Sequence, residues 1–238
     1  MLSPSAWSCG GRENNSNEPM FRHKHPYPPF IPDNATRLIV GTLPPPRFST
    51  GALHPEDVDF CYGSKYGLLW PVLDAIFGIG LEYANTGASV SQRKEFLQAQ
   101  GIGICDIVAS CERERMTASD LDMKNIRLRN LTGILEKHQG IHTLLFMGGN
   151  SKNGPEYLFR RHLAEKGLHL QAESGRGPRV HRFDLNGRSL RTITLVSPSS
   201  AANRSIGANP DYRKYRGVNP CFSTLDFRIL LYTPFFTD

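Results

Sequence analysis

Short runs of branched apolar residues alternate along this chain with longer segments whose large side chains return every three or four positions. The first run, R-L-I-V-G-T-L at residues 37–43, is halted by three prolines and reads as a strand buried on both faces. Residues 67–77 have helical spacing, and 91–100 read as a helix capped by Ser91 and stopped by Gly101. Residues 102–108 make a second apolar strand, 125–138 a helix, 142–147 a third strand and 155–166 a helix ended by Gly167. A strand over 168–172, a basic Gly-rich turn region over 175–188, a strand over 190–196 and a helix over 222–232 complete the pattern. Strands alternating with helices predict an α/β fold, a parallel sheet covered on both faces. Ligands of such sheets bind beyond the carboxyl ends of the strands, which directs attention to the loops after Leu43, Val108, Met147 and Val196.

The first 19 residues, rich in Ser, Asn and Gly, show neither period and are expected to be disordered. Residues 20–35, containing H-K-H-P-Y-P-P-F-I-P, are expected to form an extended arm, and 36–238 one domain. With 39% apolar and 21% charged residues, the 238-residue chain is neither fibrous nor wholly disordered. Its longest apolar stretch, residues 67–81, is interrupted by Pro71 and Asp74 and is shorter than the roughly 20 residues of a membrane span. The N-terminus lacks the layout of a secretory signal, so a cytoplasmic protein is expected. Cys9, Cys61, Cys105, Cys111 and Cys221 form no C-x-x-C pair, which argues against a zinc ribbon or a four-cysteine iron–sulfur cluster and favours free thiols. A net charge of +6 is compatible with a polyanionic partner without requiring one.

Three segments carry candidate chemistry. Gly41-Thr42-Leu43-Pro44 ends the first strand, where glycine admits close approach and proline fixes direction. Tyr62-Gly63-Ser64-Lys65 precedes Gly67 and Trp70-Pro71; Trp70 is expected in the core, and Asp74 on the helix surface. After the last strand come Ser197-Pro198-Ser199-Ser200-Ala201-Ala202-Asn203-Arg204, small and hydroxylic residues suited to a phosphate backbone. Arg176, Arg179, Arg182, Arg188 and Arg191 are concentrated in one stretch and Arg213, Lys214 and Arg216 in another, and both could follow DNA.

In this order and spacing the segments resemble the uracil-DNA glycosylase superfamily, nearest its hypoxanthine-DNA glycosylase-like branch. G-I-G-I-C-D-I-V at residues 101–108, then Ser119-Asp120 and L-L-F-M-G-G at 144–149, extend the resemblance, with Cys105 where tryptophan is usual. It implies a three-layer α/β/α sandwich with a mostly parallel four-stranded central sheet. It also implies a monomeric, monofunctional enzyme that flips an abnormal base from double-stranded DNA and hydrolyses its glycosidic bond, without metal or organic cofactor.

By position, the base pocket would comprise Gly41, Thr42, Leu43, Pro44, Tyr62 stacking on the base, Gly67, Asn150 reading a base edge, and Ser197. Lys65, Pro198, Ser199, Ser200, Asn203 and Arg204 would meet DNA. The places that hold a water-orienting side chain elsewhere in the superfamily hold Leu43 and Gly67 here. Ser64, Asp59 and Asp106 are the remaining candidates for activating water. Asp106 could equally cap a nearby turn. Three readings follow: repair of uracil or hypoxanthine, antiphage excision of a bulky base such as glucosylated 5-hydroxymethylcytosine with Gly67 making room, or DNA binding without cleavage.

Overall fold

The computed structural model describes residues 20–173 and 177–237. The segment 1–19, with Cys9 in it, and Arg176 of the basic stretch lie outside the described residues.

Among the described residues nine strands make two sheets. The larger runs β3 (Ile102–Ile104), β2 (Arg37–Val40), β6 (Thr143–Met147), β9 (Arg188–Leu195), β8 (Arg179–Leu185), β7 (Gln171–Ala172). Its first four strands are parallel, and β8 and β7 add an antiparallel edge. The smaller sheet is antiparallel, in the order β1 (Phe21–Lys24), β4 (Val108–Arg113), β5 (Lys124–Leu128). The expected four-stranded sheet is therefore the parallel portion of a six-stranded one, beside a second sheet that the apolar pattern did not announce.

Alternation along the central strands divides the core in two. Leu38, Val40, Leu144 and Phe146 face one side, where α4 (Leu131–Lys137) and α5 (Pro155–Ala164) supply Leu131, Leu135, Leu158 and Phe159. Ile39, Leu145, Met147 and Ile193 face the other, against α2 (Leu69–Phe77), α3 (Gly87–Ala99) and α8 (Thr224–Phe236). A strand buried on both faces must be apolar at every position, which is why the central strands read as continuous runs. Short α1 (Pro46–Thr50), α6 (Asn203–Ala208) and α7 (Pro210–Val218) complete the helices. Trp70 lies in the second core, donating its indole N–H to the Cys61 carbonyl at 2.9 Å. Asp74 caps the turn after α2, accepting from the backbone of Gly80 at 2.7 Å.

Several boundaries differ from the pattern for local reasons. The run over 102–108 breaks at Asp106, whose carboxylate turns back to the Gly41 backbone, so β3 and β4 enter different sheets. The helix expected over 125–138 begins only at α4, capped by Asn130, because Ile126 and Leu128 pack as part of β5. Thr86, rather than Ser91, caps α3 and adds a turn before it. The expected turn region contains β8, with His181, Phe183 and Leu185 buried in alternation and a tight Asn186-Gly187 hairpin at positive φ (52° and 76°). Only Gln171 and Ala172 of the run over 168–172 are strand.

The arginines of that stretch engage protein partners. Arg179 pairs with buried Glu156 at 2.9 Å, and Arg182 and Arg191 share Glu173. Arg188 donates to the carbonyls of Leu135, Gln139 and Ile141 at the end of α4. Arg179, Arg182 and Arg191 keep about half of their side chains exposed (53%, 56% and 47%) while making these pairs.

Residues 20–35 lie along β4 and then along the outer edge of β3. His25 N–H donates to the Ala109 carbonyl at 2.9 Å, and Phe30 exchanges backbone bonds with Ile104. The edge of the parallel sheet is covered by this segment.

Candidate functional site

The loops following β2 and β9 meet over one cavity of about 580 Å³ at the carboxyl ends of the parallel strands. Residues 41–45 form one wall and 197–202 another; Arg47, 62–64, Tyr66, Gly67, Asp106, Met147 and 118–120 close the rest. The two sides are tied together: Leu68 N–H donates to the Pro198 carbonyl at 2.9 Å, and Gly67 bridges to Ser199. Arg228 of α8, fully buried, anchors the second wall by donating to the carbonyls of Ser197 (3.1 Å) and Ser199 (2.7 Å).

Asp106 occupies the floor. Its Oδ1 accepts from Gly41 N–H at 2.9 Å and from the Tyr62 hydroxyl at 3.4 Å. The Tyr27 N–H donates to His25 Nδ1 at 3.1 Å, so the His25 proton sits on Nε2, which lies 3.0 Å from Asp106 Oδ2. Tyr62 has φ +58°, a left-handed conformation that turns its ring over Gly41. Burial, reinforced by the nearby Asp106 charge, pushes the Tyr62 phenol well above its usual range, so it remains a donor.

A second polar cluster lies beside Ser64. Arg47 grips fully buried Asp57 through Nε (2.7 Å) and Nη2 (2.8 Å), and Nη2 also donates to Ser64 Oγ at 2.8 Å. Burial alone would raise the Asp57 carboxyl, but Arg47 and the backbone N–H groups of His54 and Lys65 bring it down to about 2. Ser64 Oγ also accepts from Tyr66 N–H at 3.2 Å. With two donors on its oxygen, Ser64 is poised to donate its own hydrogen rather than to accept one from water.

The third cluster is Asp120, whose Oδ1 accepts from Thr42 Oγ1 at 2.8 Å. Burial pushes this carboxyl up to about 6, even though Thr42 and Arg113 act in the opposite direction. Arg113, itself buried, donates to His23 Nδ1 at 2.9 Å and to the Ser119 carbonyl at 2.5 Å. Burial, helped by the neighbouring Arg113 charge, lowers His23 to about 4.

The structure brings Gly41, Thr42, Leu43, Pro44, Tyr62, Ser64, Gly67, Asp106, Ser197, Pro198, Ser199 and Ser200 to the one cavity. It does not bring Asp59, which is exposed and accepts from the Tyr27 hydroxyl at 2.7 Å outside the cavity lining. Asn150 and Arg204 are exposed and Asn203 is half-buried, all three outside the lining. Lys65 is exposed too, pairing with Glu56 at 3.3 Å. Gly67 does not enlarge the cavity in the expected way. A Cβ there would press on the carbonyl oxygens of Ser64 (3.0 Å) and Tyr62 (3.1 Å), so glycine serves the turn.

Arg47, Asp120 and His25 were missed as site residues. The alternation H-K-H at 23–25 places both histidines on one face of the extended segment that contains β1, a signal present in the sequence. Nothing local distinguishes Arg47 or Asp57, which meet across a loop.

No protein-family model matches the chain, and no curated protein matches it. A solved structure does: the solution NMR structure of a provisionally named uracil DNA glycosylase from Methanosarcina acetivorans. The likeness has a TM-score of 0.50 at 16% sequence identity and covers 87% of this chain and 99% of that one. At that identity it shows a shared α/β fold.

Proposed function

We propose that this protein is a monofunctional DNA glycosylase, which draws an abnormal base out of double-stranded DNA and hydrolyses its N-glycosidic bond to leave an abasic site. The observation that carries this reading is the single cavity at the strand ends, walled by the loops after β2 and β9 and floored by Tyr62 and Asp106. Its 580 Å³ falls within the range of small-molecule sites and accommodates a nucleobase with part of its sugar. The shared fold of the Methanosarcina protein supports the same reading.

In this reading the Tyr62 ring stacks on the extruded base, a mode that tolerates many bases. Arg47 lines the cavity as a cation beside the Ser64 hydroxyl. It offers electrostatic support to negative charge developing on the departing base. The loop over 197–202 faces the duplex, with Arg204 and Lys214 beyond it as exposed cations. No lysine is among the described residues lining the cavity, so hydrolysis rather than Schiff-base chemistry is assigned.

The substrate class assigned is deaminated bases, uracil or hypoxanthine. The test uses duplex oligonucleotides carrying uracil, hypoxanthine or glucosylated 5-hydroxymethylcytosine, followed by alkali. Strand breakage at uracil or hypoxanthine is expected. Breakage only at the glucosylated base would transfer the protein to defence against modified phage genomes. Tight binding with no breakage on any duplex would overturn the enzymatic reading in favour of a binding module.

A further inference from the structure

Hydrolysis requires a group that takes a proton from water, and two carboxyl groups line the cavity among the described residues, Asp106 and Asp120. They differ in how they are occupied. Both oxygens of Asp106 are engaged, by Gly41 N–H and the Tyr62 hydroxyl on one and by His25 on the other. A carboxylate so enclosed holds the floor together and leaves no oxygen without a protein partner. Asp120 accepts one side-chain bond, from Thr42 on Oδ1, and no donor among the described residues meets its Oδ2.

The backbone at 119–120 is rigidly placed. Arg113 holds the Ser119 carbonyl, and Asn153 Nδ2 donates to the Asp120 carbonyl at 2.9 Å. These bonds fix the segment without touching the carboxyl group. A fixed carboxyl with one unengaged oxygen, on a residue that lines the cavity, is what general-base catalysis demands.

We propose that Asp120, oriented by Thr42, is the catalytic base that activates the hydrolytic water. The assignment rests on the glycosylase reading above. The water oxygen bonds to C1′ of the extruded nucleotide while one of its protons passes to Asp120 Oδ2. The C1′–N bond breaks and its electron pair leaves with the base, which takes a proton from solvent; Asp120 returns its own to solvent. One water is consumed, and the products are the free base and a C1′ hydroxyl.

The groups facing Asp120 are Thr42 from the loop after β2, Arg113 at the end of β4 and Asp106 from the loop after β3. His23 stands behind Arg113 and His25 behind Asp106. Burial raises the Asp120 carboxyl to about 6, so the competent carboxylate form is lost below that pH.

The experiment is single-turnover cleavage of the duplex that the wild-type protein cuts best, measured from acid to neutral pH, with DNA affinity measured alongside. The wild-type rate should rise to a plateau with a midpoint near 6. Asp120→Asn should lower the plateau by about 100-fold or more, with affinity for the duplex retained. Thr42→Val should keep the fold and move the midpoint to higher pH, because the hydroxyl that favours the charged form is gone. An Asp120→Asn protein with wild-type rate, or with the acid limb intact, would overturn the assignment while leaving the glycosylase reading standing. An unmoved midpoint in Thr42→Val would do the same. A wild-type protein that cleaves none of the duplexes overturns that reading and this assignment together.

Discussion

A methyl group at position 41 would lie 2.0 Å from the Tyr62 hydroxyl and 2.8 Å from Asp106 Oδ1. Glycine at that strand end was legible as a site of close approach, but the partner is a tyrosine of the protein itself. Gly41→Ala must displace Tyr62 or Asp106, and overpacking of this kind costs about 1–3 kcal/mol. A lower melting temperature and loss of base release are expected together; thermal unfolding beside the oligonucleotide assay checks this. The candidate pocket residues from 41 to 44, with Tyr62 and Ser197, could be placed because they are close in sequence to strand ends. The choice among polar groups could not. Ser64 and Asp59 have suitable chemistry, yet their partners, Arg47 and Tyr27, come from segments 17 and 32 positions away. Which lone pairs are already occupied is a property of tertiary packing, and local sequence carries no record of it.

At the scale of elements, α8 does more than cover a core face. Its Arg228 is buried without a carboxylate partner among the described residues, and its three donating nitrogens meet the carbonyls of Ser197, Ser199 and Thr224. Burial lowers its basicity, as expected for a cation held by dipoles alone. Arg228→Met keeps the apolar stem and removes the donors, leaving those carbonyls unsatisfied at roughly 1–3 kcal/mol for a buried acceptor. The loop over 197–202 should loosen, seen as faster amide hydrogen exchange there and a weaker specific complex with DNA. The strands of the parallel sheet and helices α2 and α5 were legible because both periods were clean. β5, β8 and the start of α3 were not. In β8, Arg182 and Asp184 alternate with His181, Phe183 and Leu185, and a one-sided strand carrying such charges resembles a turn until the Asn186-Gly187 hairpin is recognised.

For the whole molecule, the division of the cations decides how it meets a polyanion. Arg179, Arg182, Arg188 and Arg191 are each engaged by carboxylates or carbonyls, whereas Arg204 and Lys214, in the chain that follows the cavity's second wall, are exposed cations. Replacing Arg204 and Lys214 together by alanine should weaken binding to all duplexes alike. The slope of log affinity against log salt should become shallower by about 0.9 for each phosphate the protein no longer neutralises. A slope unchanged by the double substitution would place the duplex on another face. Net charge gave no hint of this division, because it counts cations held by carboxylates or carbonyls together with the rest.

The floor of the cavity joins residues distant in the chain: His25 meets Asp106 across 81 positions, and Thr42 meets Asp120 across 78. During synthesis on the ribosome the leading segment therefore emerges long before its partner, with its two histidines unburied and its prolines free to isomerise. Closure of such distant pairs is slow. A shortened product starting after that segment would leave the β3 edge uncovered and the cavity's aspartate without its imidazole.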